Sequence, residues 1–151
     1  LGNMVPVLGN QFDVVYSDAS LFRFGGRIAF QYKNQISSGL KLVANKWNTE
    51  SVAQAWMKPG LEADWNLDVK VNPSLTISSN FFYEGERYAR LGTQTVELKP
   101  VTDLNLGASY FFNSTFSAFV KLNNILNSDY EQFVGYDVQR FNFLLGGAIS
   151  F

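Results

Sequence analysis

The chain contains neither cysteine nor histidine. Thiol nucleophiles, imidazole bases and the most common ligands of zinc and copper are therefore missing. A Ser-His-Asp hydrolase is excluded, and a membrane-embedded hydrolase is disfavoured for the same reason. From these absences we expect no enzymatic activity, no catalytic residue, no cofactor and no metal site.

Long apolar runs and an excess of one charge are lacking as well. The apolar stretches are much shorter than the ~18 consecutive apolar residues of a transmembrane helix, so a helical span is excluded. Basic and acidic residues number 12 and 13, which gives a net charge of −1 and no basic surface for nucleic acid. The chain begins at Leu1 without a secretory leader, as is expected of a mature protein or of a fragment.

The sequence does contain a sustained alternation of apolar and polar residues. From Leu61 to Asn72 every odd position is apolar and every even position is polar. A period of two is typical of a β-strand with one apolar and one polar face. The pattern recurs along the chain and predicts about eight strands in a single unit. Its apolar positions are Phe12, Val14 and Tyr16; Phe22, Phe24, Ile28, Phe30 and Tyr32; Leu40, Leu42 and Ala44; Leu61, Ala63, Trp65, Leu67, Val69 and Val71; Leu75, Ile77, Phe81 and Tyr83; Leu104, Leu106, Ala108, Tyr110 and Phe112; Ala118, Val120 and Leu122; and Phe141, Phe143, Leu145, Ile149 and Phe151.

The connections between the predicted strands alternate between short and long. The short ones are rich in Asn, Pro and Ser, the usual residues of tight turns. Bacterial outer-membrane barrels show the same asymmetry, with short periplasmic turns and long extracellular loops. The short turns are predicted near residues 34–35, 72–74 and 113–115, and the long loops near residues 48–58, 89–100 and 124–140.

Some alternation continues into the long loops, so the strands are expected to project beyond the membrane. Val96 and Leu98 share the parity of the strand that follows them, and so do Ala55 and Met57. The loops also hold or adjoin large aromatic side chains, which either stack on a ligand or pack and anchor the loops. These aromatic residues are Trp47, Trp56, Tyr88 and Tyr136.

A membrane explains why the two faces of these strands differ so strongly. Lipid contacts the apolar face and water or a plug contacts the polar face, while closure of the barrel pairs the backbone amides. Aromatic residues make up 16% of the chain and collect near the strand ends, as the girdles of a transmembrane barrel do. A soluble β-sandwich is the alternative, since it alternates too. The sequence therefore predicts an all-β, antiparallel transmembrane β-barrel over residues 1–151, and the projecting strands favour a larger parent barrel.

The predicted polar faces carry charges of both signs. Basic residues come from the early strands and acidic residues mainly from the middle ones. They either pair between neighbouring strands or form separate lumen patches that bind a plug or a solute. Glu84 and Glu86 are expected to share one strand face. The lumen-facing candidates are Arg23, Arg27, Lys41, Glu62, Asp64, Asp68, Glu84, Glu86, Asp103 and Lys121.

The last third of the chain resembles a known family. Residues 103–112, 116–127 and 141–151 look like the last three strands of TonB-dependent receptors of the Bacteroidetes type. In that family an Asn-Leu-Phe/Leu-Asn turn followed by Lys-Tyr-Glu tops the penultimate strand. The stretch Asn124-Ile125-Leu126-Asn127 matches the turn, and Tyr130-Glu131 follows it after Ser128-Asp129. The resemblance is specific from about residue 100 onward and only architectural before that.

The resemblance implies a large barrel of about two dozen strands that imports a bound nutrient. An N-terminal plug domain that engages TonB, and a surface lipoprotein, are the partners it implies. The final strand also resembles the signal that the barrel-assembly machinery reads, with Leu144 as a departure because a polar residue is usual there. The residues of this signal are Phe143, Leu145, Gly146, Ile149 and Phe151.

Two functions follow as hypotheses. The first is the porin-like wall of a TonB-dependent receptor that takes up a solute across the bacterial outer membrane, in contact with lipid. The second is a complete small barrel of about eight strands with a structural or adhesive role. In a complete small barrel the first strand pairs with the last one, whereas in part of a larger barrel both are unpaired or joined to strands outside the chain.

Overall fold

The structure is a computed structural model that describes residues 18–50 and 52–151. The described residues form strands and turns, and the predicted strand at residues 12–16 lies outside them. None of their segments is a helix long and apolar enough to cross a membrane. The strands are β1 (Ala19–Tyr32), β2 (Ile36–Thr49), β3 (Leu61–Asn72), β4 (Leu75–Glu84), β5 (Arg87–Leu91), β6 (Gln94–Leu98), β7 (Val101–Phe111), β8 (Phe116–Asn123), β9 (Glu131–Phe133), β10 (Tyr136–Asp137) and β11 (Asn142–Ile149).

Seven of these strands form one sheet. Their order is β1-β2-β3-β4-β7-β8-β11, and every neighbouring pair is antiparallel. The other strands form two separate hairpins, β5–β6 and β9–β10. The predicted all-β, antiparallel architecture is confirmed. The strands also differ in length, from 14 residues in β1 and β2 to 8 in β8 and β11.

Three tight turns lie at one end of the sheet, and asparagine side chains shape two of them. The Asn72 Oδ1 atom accepts hydrogen bonds from the N–H groups of Ser74 and Leu75, at 2.8 and 2.9 Å. The Asn113 Oδ1 atom accepts from Thr115 and Phe116 in the same way, at 2.9 and 2.8 Å. These side-chain hydrogen bonds satisfy backbone N–H groups that cannot pair with another strand within a tight turn.

The third turn and the chain end lie at the same level. Lys33 and Asn34 have positive φ angles of 45° and 52°, which a type I′ turn requires at both of its central positions. The Ser150 N–H group donates to the Thr115 carbonyl at 2.9 Å, so the last residues lie beside the turn between β7 and β8. We call this end of the sheet the short-turn end and the opposite end the long-link end.

The long links differ from the sequence expectation because they hold structure of their own. The link between β4 and β7 contains the β5–β6 hairpin, and the link between β8 and β11 contains β9–β10. The expectation that Val96 and Leu98 extend β7 is wrong: they belong to β6, which pairs with β5. Pro100, between β6 and β7, has no N–H group with which to continue a ladder.

The corresponding expectation for the other long link is wrong as well. Ala55 and Met57 precede β3 and do not belong to it, since β3 begins at Leu61. Met57 has a positive φ of 60°, which is incompatible with an extended strand. Pro59 and Gly60 then separate this segment from β3, and both residue types interrupt strands.

The register aligns apolar residues with apolar residues across the sheet. Trp65 of β3, for example, lies between Leu40 of β2 and Phe81 of β4. In β1, Phe24 and Ile28 of this apolar face are 74% and 73% exposed. A contiguous exposed apolar face of this extent is far larger than the patches that soluble monomers carry. No second sheet covers the apolar face among the described residues, which disfavours the sandwich alternative.

The buried core is small and lies toward the long-link end. Ala89 and Leu98 of the β5–β6 hairpin, Val101 and Tyr130 are buried there, and Val43 of β2 is buried on the polar face. The long links are therefore folded against one another and against the top of the sheet. The wall itself, by contrast, leaves both of its faces accessible.

Two adjacent glycines near the chain end provide a test of packing on the polar face. A Cβ atom at Gly146 would lie 2.4 Å from the Phe119 ring, whereas one at Gly147 would meet nothing closer than 3.5 Å. We expect Gly146→Ala to lower the free energy of unfolding by about 2 kcal/mol because the ring must move. The measurement is denaturant unfolding of the intact protein in lipid vesicles.

Gly147→Ala is the matched control on the same strand. It should change the free energy of unfolding by no more than about 0.5 kcal/mol. Combining Gly146→Ala with Phe119→Ala should recover part of the loss, because the clash is removed. Equal effects of the two single substitutions would show that the Phe119 ring does not limit this position.

Candidate functional site

The polar face of the sheet collects almost all of the sequence-predicted lumen residues. The pairing register places them on the same side of adjacent strands, opposite to the apolar face. These residues are Arg23, Arg27, Lys41, Glu62, Asp64, Asp68, Glu84, Asp103 and Lys121. The sequence pattern therefore brings together residues that are nearly one hundred positions apart in the chain.

Glu86 is the exception, and the expectation that it shares a strand face with Glu84 is wrong. Strand β4 ends at Glu84, and Gly85 donates its N–H group to the Leu61 carbonyl at 2.8 Å. The chain then turns into β5, so Glu86 leaves the ladder and stands exposed beside a cleft. The spacing of Glu84 and Glu86 in the sequence does not reveal that the strand ends between them.

Few charges of the polar face pair with one another. Residues 18–50 and 52–151 form two ion pairs, Arg87 with Glu84 at 3.3 Å and Arg140 with Asp129 at 2.7 Å. Lys41 lies opposite Asp64 in the register, yet these two side chains do not form an ion pair. Pairing of neighbouring wall charges, one of the two sequence expectations, is therefore limited to Glu84 and a residue of the adjoining hairpin.

Two carboxylates of the polar face, Glu62 and Glu84, are nevertheless compensated. Glu62 and Glu84 are directly opposite each other on β3 and β4, an arrangement that is destabilising for like charges. Glu62 accepts a hydrogen bond from the Asn45 amide at 2.7 Å, and Glu84 pairs with Arg87. Each carboxylate thus has a donor of its own, which offsets their mutual repulsion.

Arg87 connects the sheet to the last long link. It is only 2% exposed, and its Nη2 atom donates to the Glu131 carbonyl at 2.8 Å. Its Nη1 atom contacts Glu84 at 3.3 Å and donates to the Gln132 carbonyl at 3.4 Å. One guanidinium therefore ties the end of β4 to strand β9. Sequence reasoning missed this residue, although a cation directly after a break in the alternation was a usable signal.

A second tie lies beside the first. The Tyr130 hydroxyl group donates to Asp103 Oδ2 at 2.9 Å. Burial and, second to it, the hydrogen bond to Asp103 together raise the pKa of Tyr130 to about 12. The phenol therefore stays protonated at physiological pH and keeps its role as donor. Asp103, a predicted lumen residue, here also holds the link over the sheet.

The Asn124–Asn127 motif is a turn held by its own side chains. Asn124 is 2% exposed and has a positive φ of 48°. Its side chain donates to the carbonyls of Ser128 and Gln139, at 2.9 and 3.3 Å, and accepts from the Ser128 N–H group at 2.9 Å. Asn127 in turn accepts from the Phe141 N–H group at 3.2 Å. The motif therefore joins both ends of the link between β8 and β11.

A cleft opens at the long-link end between β2, the residue 53–58 segment and the start of β5. Its volume is about 650 Å³, within the ~300–1,000 Å³ range of small-molecule sites. Trp47, Tyr88 and Glu86 line it together with two lysines, and the Lys58 ammonium lies 5.9 Å from the centre of the Trp47 ring. The cleft exists because β2 continues beyond its last pair with β3, Ala44 opposite Leu61.

A metal site needs several ligands close together. Among the described residues, no group of three or more acidic side chains is placed to hold a metal ion. The groups that line the cleft are aromatic faces, lysine ammonium groups, side-chain amides and the Glu86 carboxylate.

Neither a protein-family model nor a curated protein matches the sequence. Solved structures do match. The FpvAI–pyocin S2 complex aligns with a TM-score of 0.76 at 13% identity, over 88% of this chain. The Pseudomonas aeruginosa ferripyoverdine receptor of the outer membrane, bound to ferripyoverdine, aligns with a TM-score of 0.75 at 13% identity, again over 88% of this chain. The fold is that of an outer-membrane receptor barrel.

A third structure, P. aeruginosa FpvA bound to heterologous pyoverdines, gives a TM-score of 0.74 at 13% identity and 88% coverage of this chain. The alignments cover 19–20% of the receptor chains, so this chain spans about one fifth of their length. At 13% identity the similarity shows the fold alone. It concerns the fold of the barrel wall, to which the seven-stranded sheet corresponds.

The predicted assembly signal lies on the last wall strand. Phe143, Leu145 and Ile149 of β11 lie on the apolar face and are exposed. Gly146 lies on the polar face beneath Phe119, and Phe151 follows the strand at the short-turn end. Among the described strands, β11 pairs with β8 alone, so its other edge is open. Leu144, the departure from the signal, is exposed on the polar face.

Proposed function

We propose that the chain is part of the wall of a TonB-dependent receptor that takes up a solute across the bacterial outer membrane. The observation that carries this proposal is the two-sided sheet, which is apolar and exposed on one face and charged on the other across seven strands. Such a sheet is stable where hydrocarbon covers one face and water or protein covers the other. Its role is binding and transport, without catalysis.

The solved receptors support the transport part of the proposal. Structures of this fold were obtained with ferripyoverdine and with heterologous pyoverdines bound, which favours a bound solute as the cargo here as well. The cleft at the long-link end, with Trp47 and Tyr88, is the place where we expect a first contact with that solute. In this orientation the short-turn end faces the periplasm and the long links face outward.

The partners follow from the same arrangement. Lipid covers the apolar face, a plug domain that engages TonB occupies the space beside the polar face, and the barrel-assembly machinery reads the open edge of β11. The self-capped Asn124–Asn127 turn supports the Bacteroidetes type, and with it a surface lipoprotein above the long links. The pairing of first and last strands that a complete small barrel needs is not formed among the described strands.

Two neighbouring leucines provide a direct test of the membrane orientation. Leu144 and Leu145 of β11 are 52% and 66% exposed and lie on opposite faces. The chain has no cysteine, so Leu144→Cys and Leu145→Cys can each carry a single bimane label. In bilayers that contain brominated lipid, we expect strong quenching at position 145 and little at position 144, because bromine quenches by contact within hydrocarbon.

The measurement uses the intact native protein, with any cysteine outside this chain replaced. Similar quenching at both positions, or stronger quenching at 144, would contradict the membrane orientation. The transport part is tested by deleting the gene and comparing growth on single limiting nutrients. A defect on at least one nutrient, rescued by the gene only in TonB-competent cells, is expected, and growth like the parent on all nutrients would contradict uptake.

A further inference from the structure

Three basic side chains stand together on the polar face of β1 and β2. Arg27 lies directly opposite Lys41, and Arg23 lies opposite Asn45 four register positions closer to the long-link end. Residues that face each other in antiparallel strands have Cβ atoms about 5 Å apart. Arg27 and Lys41 therefore form a close basic pair, and Arg23 lies further along β1 on the same face. We call these three residues the basic strip, and all of them are exposed.

The charges of the basic strip have no partner within residues 18–50 and 52–151. No hydrogen bond or ion pair is formed by Arg23, Arg27 or Lys41 there. Glu62 and Glu84 on the same face differ in this respect, since each of them has a donor. Two like charges placed directly opposite each other are destabilising, and Asp64, the acidic neighbour of Lys41 in the register, does not relieve them by an ion pair. A bound anion would do so.

The chemistry of the strip favours oxyanions with more than one charge. Arginine presents a planar fork of N–H donors that matches a carboxylate or a phosphate, and Lys41 adds a compact positive charge. Arg23 and Arg27 are separated by about 13 Å along an extended strand. A ligand that engages both must therefore be elongated or carry anionic groups at two places.

The rest of the polar face directs such a ligand to β1 and β2. Asp64, Glu62 and Glu84 lie on the next two strands, where they repel anions. A surface with basic residues on one side and acidic residues on the other focuses an anion onto the basic side. The strip also borders the long-link cleft, because Asn45 opposite Arg23 lines that cleft.

We propose that the basic strip is an anion-binding site that selects elongated, multiply charged oxyanions as the solutes of this receptor. The inference rests on the proposed uptake function, which places the polar face in the lumen, and it adds the substrate class. A solute that has entered between the long links reaches Arg23 first and then Arg27 and Lys41. The strip thus forms a step of the path from the cleft toward the short-turn end.

The test measures binding of inorganic tripolyphosphate to the intact protein in detergent by titration calorimetry. The variant Arg23→Gln, Arg27→Gln, Lys41→Gln removes the strip. The control variant Lys33→Gln, Lys70→Gln, Lys99→Gln removes the same amount of charge elsewhere. We expect the strip variant to bind tripolyphosphate at least about 30-fold more weakly, because three charge-assisted contacts are lost, and the control variant less than about threefold.

Two outcomes would overturn the inference. If both variants weaken binding equally, the effect is one of net charge and the strip is not a site. If the unaltered protein does not bind tripolyphosphate at all, the strip is covered, as an acidic segment of a plug would cover it. Either result with normal quenching by brominated lipid rejects the anion site alone. Strip-dependent binding without lipid quenching rejects the proposed orientation and uptake instead.

Discussion

Replacing Arg87 by methionine is expected to lower the free energy of unfolding by about 3 kcal/mol. The substitution removes the partner of Glu84 and the donor to the carbonyls of Glu131 and Gln132, while methionine fills much of the same space. Breaking a buried ion pair by removing one partner leaves the other charge uncompensated. Denaturant unfolding in lipid vesicles measures the loss, and hydrogen exchange should show reduced protection in β5, β6 and β9.

Arg140→Met is the matched control for this prediction. Arg140 also pairs with a carboxylate, Asp129 at 2.7 Å, but both side chains are about half exposed, at 59% and 49%. Exposed ion pairs contribute little, so the change should stay within about 0.5 kcal/mol. Adding Glu84→Met to Arg87→Met should recover part of the loss. An Arg87→Met protein as stable as the Arg140→Met protein would show that Arg87 does not hold the link.

Asn124→Ala is expected to have a similarly large effect, again about 3 kcal/mol. The substitution removes the three side-chain hydrogen bonds to Ser128 and Gln139. It also places alanine at a positive φ of 48°, which asparagine tolerates better. Unfolding in lipid vesicles measures the total. Hydrogen exchange of the residue 124–140 link should report the local opening, because both ends of that link depend on this turn.

Asn124→Gly separates the two causes. Glycine adopts a positive φ without strain, so this variant loses the hydrogen bonds alone and should be more stable than Asn124→Ala by about 1 kcal/mol. If alanine and glycine are equally tolerated, and both resemble the unaltered protein, the Asn124 side chain does not organise the link. The resemblance of this motif to the receptor family would then have no structural basis here.

The wall strands follow from the sequence because their signal is local. The alternation from Leu61 to Asn72 predicts β3 with the bounds that the structure has, and the register then aligns Trp65 with Leu40 and Phe81. A period of two fixes which residues share a face, and an error of one residue would reverse every side chain. Asparagine in the short turns adds the second local signal, since its side chain bonds to its own backbone.

The long links do not follow from the sequence because their structure depends on contacts between distant segments. Glu86 continues the spacing of Glu84, yet the strand ends before it where Gly85 bonds to Leu61. Arg87 is held by carbonyls more than forty residues away, which no periodicity reports. The β5–β6 hairpin competes with a continuation of β7, and Pro100 decides in its favour.

The sequence also does not predict which charged side chains of the wall form ion pairs. Opposite signs on neighbouring strands suggested pairing, but pairing also needs side chains whose lengths and directions meet. Lys41 and Asp64 are register neighbours without an ion pair, whereas Glu84 finds its cation in a hairpin outside the wall. The register gives the position of a charge on a face. The side-chain geometry decides which charges form no ion pair and can bind a ligand.

On the proposed orientation, the unequal strand lengths give this part of the barrel wall an inclined outer edge. Strands β1 and β2 contain 14 residues each and β8 and β11 contain 8, while the tight turns keep their lower ends level. At about 3.4 Å per residue, one flank rises roughly 20 Å above the other along the strands. A molecule that approaches from the side of β1 and β2 first contacts these longer strands, which carry Arg23 on their polar face. It then moves along them toward the short-turn end. The side from which cargo arrives then matters as much as its size.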